Sequence, residues 1–151
     1  MSTTERIEFS TDIAAPVATV FRLMLDPQGY RDWTTPFAEG SHYVGSWQQG
    51  QKIHFLSPSG DGMVSEIAEY RPDAYVSIRH LGYVAQGVED TQSDAVRAWA
   101  PAYENYRFLA TSTGTRLVIE QDATPEFKAY LAEAWPKALQ RLKTLCEAAA
   151  R

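Results

Sequence analysis

A chain of 151 residues that is 44% hydrophobic, 12% aromatic and 22% charged has the composition of one globular domain, which excludes disordered, collagenous and coiled-coil architectures. Its 14 Lys and Arg against 19 Asp and Glu give a net charge of −5, the wrong sign for a sequence-independent grip on phosphates, so nucleic acid is not an expected partner. Cys146 is the single cysteine, which rules out an intrachain disulfide and points to a reducing, cytoplasmic setting; at this length roughly 70% of the unfolded surface is buried without such a staple.

Residues 1–10 carry Glu5 and Arg6 where a leader peptide would need an apolar stretch, and no later run approaches the roughly 20 apolar residues of a membrane span. Residues 7–13 alternate apolar and polar at period two, which predicts a half-buried first strand. Pro16 then fits the start of a helix carrying Val17, Val20, Phe21 and Met24 at helical spacing. Asp26 caps a second short helix that begins at Pro27, carries Tyr30 and Trp33 toward the same core, and stops at Thr35-Pro36.

From residue 40 to 121 short runs rich in Val, Ile, Tyr and Phe alternate with Gly, Pro, Asp and Ser clusters, the pattern of an antiparallel meander. Strands are predicted over 41–44, 52–56, 62–70, 74–80, 103–111 and 115–121, with turns at 58–62, 71–73 and 112–114. The stretch 82–101 is too long for a hairpin loop and has little periodicity; with Gly82 and Gly87 as hinges and Val88, Val96 and Trp99 as anchors, it is expected to be a mobile lid. Thr124 as cap, Pro125 at the first position and Glu126 in the first turn announce a helix running to about residue 149. Its stripe reads Phe127, Leu131, Ala134, Trp135, Ala138, Leu139, Leu142 and Leu145, with Pro136 expected to bend it. This order of elements is α+β: one antiparallel sheet that curls around a long C-terminal helix, leaving a cavity where the two diverge.

Several segments carry a resemblance that spans nearly the whole chain: Pro16-Val17 through Val20-Phe21, Trp33, the strand from Gly62 to Glu66-Ile67, Tyr103-Glu104-Asn105-Tyr106, Gly114-Thr115-Arg116-Leu117, and Trp135-Pro136-Lys137-Ala138-Leu139 followed by Leu142-Lys143. On these the sequence resembles the helix-grip superfamily of START domains, plant pathogenesis-related proteins and polyketide cyclases. Within it the chain is similar to the branch named after the C-terminal domain of the activator of Hsp90 ATPase. The resemblance implies the helix-grip fold in a single domain over 1–151; because its motifs are structural, it leaves the activity open. No N-terminal extension resembles the additional domain of the eukaryotic cochaperone.

Inner-face aromatic and apolar residues are the candidates for ligand contact, although each packs in the core by default: Phe21, Trp33, Trp47, Phe55, Tyr106, Phe108, Ile119, Phe127, Leu131 and Trp135. From these and one histidine, a cavity lined by Trp33, Phe55, His80, Tyr106, Phe127 and Trp135 is expected to take an apolar, aromatic or lipid-like molecule. His42, His54 and His80 lie on separate predicted strands without metal-ligand spacing, and no glycine-rich phosphate loop occurs, so neither metal nor cofactor is expected. His80 ends a strand before the long loop, where it is either a half-exposed bystander or the polar group of a cavity wall. Glu66, Arg79, Glu104 and Arg107 on neighbouring strands read as cross-strand ion pairs on the solvent face. An inward Glu66 would instead require Arg79 or a ligand cation as partner. Glu89, Asp90 and Asp94 are solvated charges of the long loop, and Cys146 is a buried inert thiol. No nucleophile with its base is recognisable, so a small-molecule binder is the first functional reading. A module that contacts a chaperone partner and a cyclase-type enzyme using the same cavity are the alternatives.

Overall fold

Period-two alternation at the start of the chain becomes β1 (Glu5–Ile13), in a computed structural model that describes residues 4–151. Residues 1–3, part of the segment read against a leader peptide, lie outside the described residues. Pro16 occupies the N-cap of α1 (Val17–Leu25), whose buried Val20, Phe21, Met24 and Leu25 form one helical stripe. Asp26 then caps α2 (Pro27–Trp33), its Oδ2 accepting the backbone N–H groups of Gln28 and Gly29 at 3.1 Å each. That cap sets the direction in which α2 delivers Tyr30 and Trp33 to the core.

The meander follows as β2 (His42–Gly45), β3 (Lys52–Leu56), β4 (Gly62–Arg71), β5 (Tyr75–Ala85), β6 (Val88–Asp90), β7 (Ala102–Thr111) and β8 (Gly114–Ala123). All pairings are antiparallel; the spatial order is β1-β8-β7-β5-β4-β3-β2, with β6 paired to β5. Irregular register between Val64 and Ser65 and again between Ile67 and Glu69 interrupts the β4–β5 ladder, the kind of interruption that increases twist and bends a sheet. The curved sheet closes on α4 (Pro125–Ala149), so the architecture is the expected helix-grip.

Thr124 stands at the N-cap of α4, its carbonyl accepting from the N–H groups of Phe127 and Lys128, and the helix runs unbroken through Pro136. Its buried face is Leu131, Ala134, Trp135, Ala138, Leu139, Leu142 and Cys146. The predicted stripe therefore needs correcting at both ends. Phe127, in the first turn, is 53% exposed because burial of the helix begins only at Leu131, and Cys146 rather than Leu145 is the fully buried residue of the last turns. Burial pushes the Cys146 thiol up to about 12, and the thiolate is the reactive form. Native protein at pH 8 is accordingly expected to resist a chromogenic disulfide reagent and to react only when denatured; fast labelling of the folded chain would contradict this packing.

The stretch 82–101 also departs from expectation, since most of it is regular structure. β5 extends to Ala85, and Gln86 and Gly87, both at positive φ (52° and 78°), turn the chain into β6. A Cβ on Gly82 would lie 2.0 Å from the Asp90 carbonyl oxygen, so only glycine lets the returning chain cross there. Asp90 Oδ1 accepts from the N–H groups of Gln92 and Ser93, and Ser93 caps α3 (Asp94–Arg97). Val96, Trp99 and Ala102 bury themselves against Met63 as a small second core, while Glu89 accepts from Lys52 Nζ and His54 Nε2 on β3. Among the described residues, no helix is long and apolar enough to cross a membrane.

Candidate functional site

Where α2 and the N-terminal half of α4 face β7 and β8, the side chains leave a cavity of about 120 Å³. Its apolar walls are Trp33 and Tyr30 from α2, Phe37 from the following turn, and Leu131 and Trp135 from α4. The indoles of Trp33 and Trp135 stack with centroids 5.6 Å apart, Tyr30 meets Trp33 edge-on at 5.3 Å, and Phe37 meets Trp135 edge-on at 5.0 Å. Both indole N–H groups are committed: Trp33 Nε1 donates to the Met24 carbonyl at 2.9 Å, and Trp135 Nε1 to Gln121 Oε1 at 2.7 Å. The walls are held in place by these bonds and leave only ring faces and edges to a guest.

The polar part of the wall is Thr34 and Ser41, whose hydroxyls donate to the Tyr30 and Ala38 carbonyls, and Glu104 of β7 beside Gln121 of β8, directly paired across the two strands. Glu104 is one end of a buried hydrogen-bonded chain. Its Oε1 lies 3.0 Å from His80 Nε2, and its Oε2 accepts a hydrogen bond from the Tyr106 hydroxyl. His80 Nδ1 in turn lies 2.7 Å from Ser65 Oγ. A carboxylate only accepts, so His80 donates from Nε2, while Nδ1 pairs with the Ser65 hydroxyl, and every member of the chain has a partner. Burial, and after it the charge of Glu104, hold the Tyr106 and Tyr30 phenols above their ordinary range, so both remain hydroxyls.

Of the predicted cavity residues, Trp33 and Trp135 line the space. Tyr106 stands behind them, in ring contact with both at 6.3 and 6.2 Å. His80, 4% exposed, is neither a bystander nor a wall residue: it supports Glu104 from behind. Phe55 packs edge-on to His80 at 5.8 Å and against Tyr30 at 5.9 Å, one layer from the cavity. Phe127 lies apart on the exposed first turn of α4. Glu66 and Arg79 are direct cross-strand partners and form an ion pair about one-third exposed, so the outward reading of that pair holds.

Glu104 departs from the expected solvent face and stands in the cavity wall. Period two along β7 carries the signal that finds it: with Tyr106 and Phe108 buried inward, Glu104 shares their face. The same parity from Leu117 and Ile119 brings Gln121 inward on β8.

An antiparallel sheet gripping a long C-terminal helix defines a helix-grip protein. The family model for polyketide cyclase / dehydrase and lipid transport matches residues 4–147, and the chain belongs to that family. No curated protein matches the chain. Among solved structures it is similar to the Aha1 dimer of Colwellia psychrerythraea (TM-score 0.72, 17% identity, covering 95% of this chain and 96% of that one). It is similar also to protein MLL2253 of Mesorhizobium loti (TM-score 0.71, 19% identity, 93% and 96% covered). A third similar structure is DynU16, a protein of the dynemicin biosynthetic locus (TM-score 0.67, 18% identity); the match covers 99% of this chain and 49% of that one. At these identities the likeness concerns the fold.

Proposed function

We propose that this chain is a small-molecule-binding protein whose ligand, a compact aromatic or apolar molecule, occupies the cavity between α2, α4 and the β7–β8 face. The observation that carries the reading is the cavity itself, an aromatic-walled space of about 120 Å³ between α2, α4 and the sheet. An engineered apolar cavity of about 150 Å³ suffices to admit benzene, so a single ring is the matching size. The family's polyketide and lipid chemistry supports a ligand that is mainly carbon. A chaperone-contacting role has less behind it, because of the large exposed apolar residues Val44, Tyr83, Val88, Leu109, Phe127 and Tyr130, only the last two share an element.

Titration with toluene is expected to change tryptophan emission, since Trp33 and Trp135 form the walls. Leu131→Phe fills the space from α4 and should abolish that change while leaving the thermal transition at or above its original temperature. Emission that never moves in the wild type, or binding that persists unchanged in Leu131→Phe, would contradict the reading.

A further inference from the structure

The cavity has one formally charged lining group, Glu104, and no lysine or arginine lines the space beside it. Glu104 has a side chain only 15% exposed, and among the described residues it pairs with no lysine or arginine; its one ionic neighbour is His80. Both ring nitrogens of His80 are already engaged, Nδ1 with the Ser65 hydroxyl and Nε2 with Glu104. Glu104 therefore meets the cavity as a mostly buried carboxylate with no lysine or arginine beside it, a place that a positively charged guest would complete.

Two further features of the same space point to what completes it. The first is Tyr30. It is 92% buried (8% exposed), it lines the cavity, and its hydroxyl forms no hydrogen bond among the described residues, so its oxygen is open to a donor inside the cavity. The second is the wall itself. Trp33, Trp135, Tyr30 and Phe37 line the same space as the carboxylate, and the negative faces of aromatic rings attract an organic cation. Donors for an anionic guest are few in comparison: both indole N–H groups and the Thr34 and Ser41 hydroxyls donate within the protein, no lysine or arginine lines the space, and the Gln121 amide is left.

Resting on the reading of this cavity as a binding site, we propose that its ligand is a compact organic cation, a protonated primary or secondary amine joined to an apolar or aromatic body. The ammonium donates to Glu104 and Tyr30, and the body lies against the Trp33–Trp135 stack. Glu104 and Tyr30 are binding residues; His80, Ser65 and Tyr106 are positioning residues that hold the carboxylate in place. Gln121, whose Oε1 holds Trp135, fixes the indole against which the body rests.

Calorimetric titration of the wild-type protein at pH 7 with benzylammonium, benzyl alcohol and benzoate tests this, because the three share a ring and differ in charge. Benzylammonium is expected to bind about tenfold or more tightly than the alcohol, in keeping with a desolvated cation among aromatic rings, and benzoate not at all. Glu104→Gln should abolish the preference for benzylammonium over the alcohol. Equal affinity for ammonium and alcohol in the wild type, or a preference that survives Glu104→Gln, overturns the inference and leaves the binding cavity standing. Binding of none of the three, with tryptophan emission also unmoved, overturns both. The wild-type comparison is decisive even if the variant fails to fold.

Discussion

A chain ending at residue 123 is expected to show no cooperative unfolding transition, to bind hydrophobic dyes and to aggregate. α4 contributes Leu131, Ala134, Trp135, Ala138, Leu139, Leu142 and Cys146 to the core, and the sheet residues they cover include Tyr106, Leu117 and Ile119, each at most 1% exposed. Fully burying one large apolar side chain contributes about 1.5–3 kcal/mol, while a whole domain of this kind is stable by about 5–15 kcal/mol. Loss of the helix removes several such terms together and uncovers their partners on the sheet. α1 and α2 cannot replace it, since α2 itself leans on α4 through the Trp33–Trp135 stack and the Arg141 bond to Asp32. The measurement is a denaturant titration of the truncated chain followed by far- and near-ultraviolet circular dichroism. A monomer with a sigmoidal transition and native near-ultraviolet signal would show that the sheet and short helices fold without the helix they grip.

The legibility of this fold in its sequence follows how local the physics of each element is. β1, α2 and α4 were readable because their signals lie inside the element: alternation in 7–13, the Asp26 cap before Pro27, and Thr124-Pro125-Glu126 ahead of a helical stripe. The hairpin from β5 to β6 was not, because its turn is made by Gln86 and Gly87. Glutamine is a poor advertisement for positive φ, and what fixes it there is non-local, a backbone N–H donated to Asp61 Oδ1 from another turn. Gly82 looked like a hinge for the same reason. Its purpose is visible only once the Asp90 carbonyl is seen passing over it.

For the site, the aromatic half was legible and the polar half was not. Trp33 and Trp135 announce themselves by size and by their place on amphipathic helices, which fixes the face they present. Glu104 reads as a solvent-face partner in a cross-strand ion pair, because arginines stand on the neighbouring strands, and that reading runs against the parity of its own strand. Ser65, His80 and Glu104 come from three strands, and the irregular register beside Ser65 decides that it meets His80 directly. No spacing in the sequence encodes that meeting, because a one-residue shift on either strand would send one of the partners to the other face.

His80→Ala is expected to destabilise the protein by about 2–4 kcal/mol, because it strands two buried groups at once: the Ser65 hydroxyl and one oxygen of Glu104. Ser65 is fully buried and has no other hydrogen-bond partner among the described residues, so its cost is met in full. Glu104 retains the Tyr106 hydroxyl and borders the cavity, where water can enter, so its share is smaller. The cycle with Glu104→Gln isolates the link between them. In the double variant His80→Ala, Glu104→Gln, the charge that lost its partner has itself been removed, so the combined loss should fall short of the sum of the single losses by about 1 kcal/mol or more. Urea unfolding of the four proteins, at a pH where the wild type is folded, supplies the numbers. Strict additivity would mean that His80 and Glu104 do not sense one another, and the chain from Ser65 to the cavity wall would then be no more than adjacent polar groups.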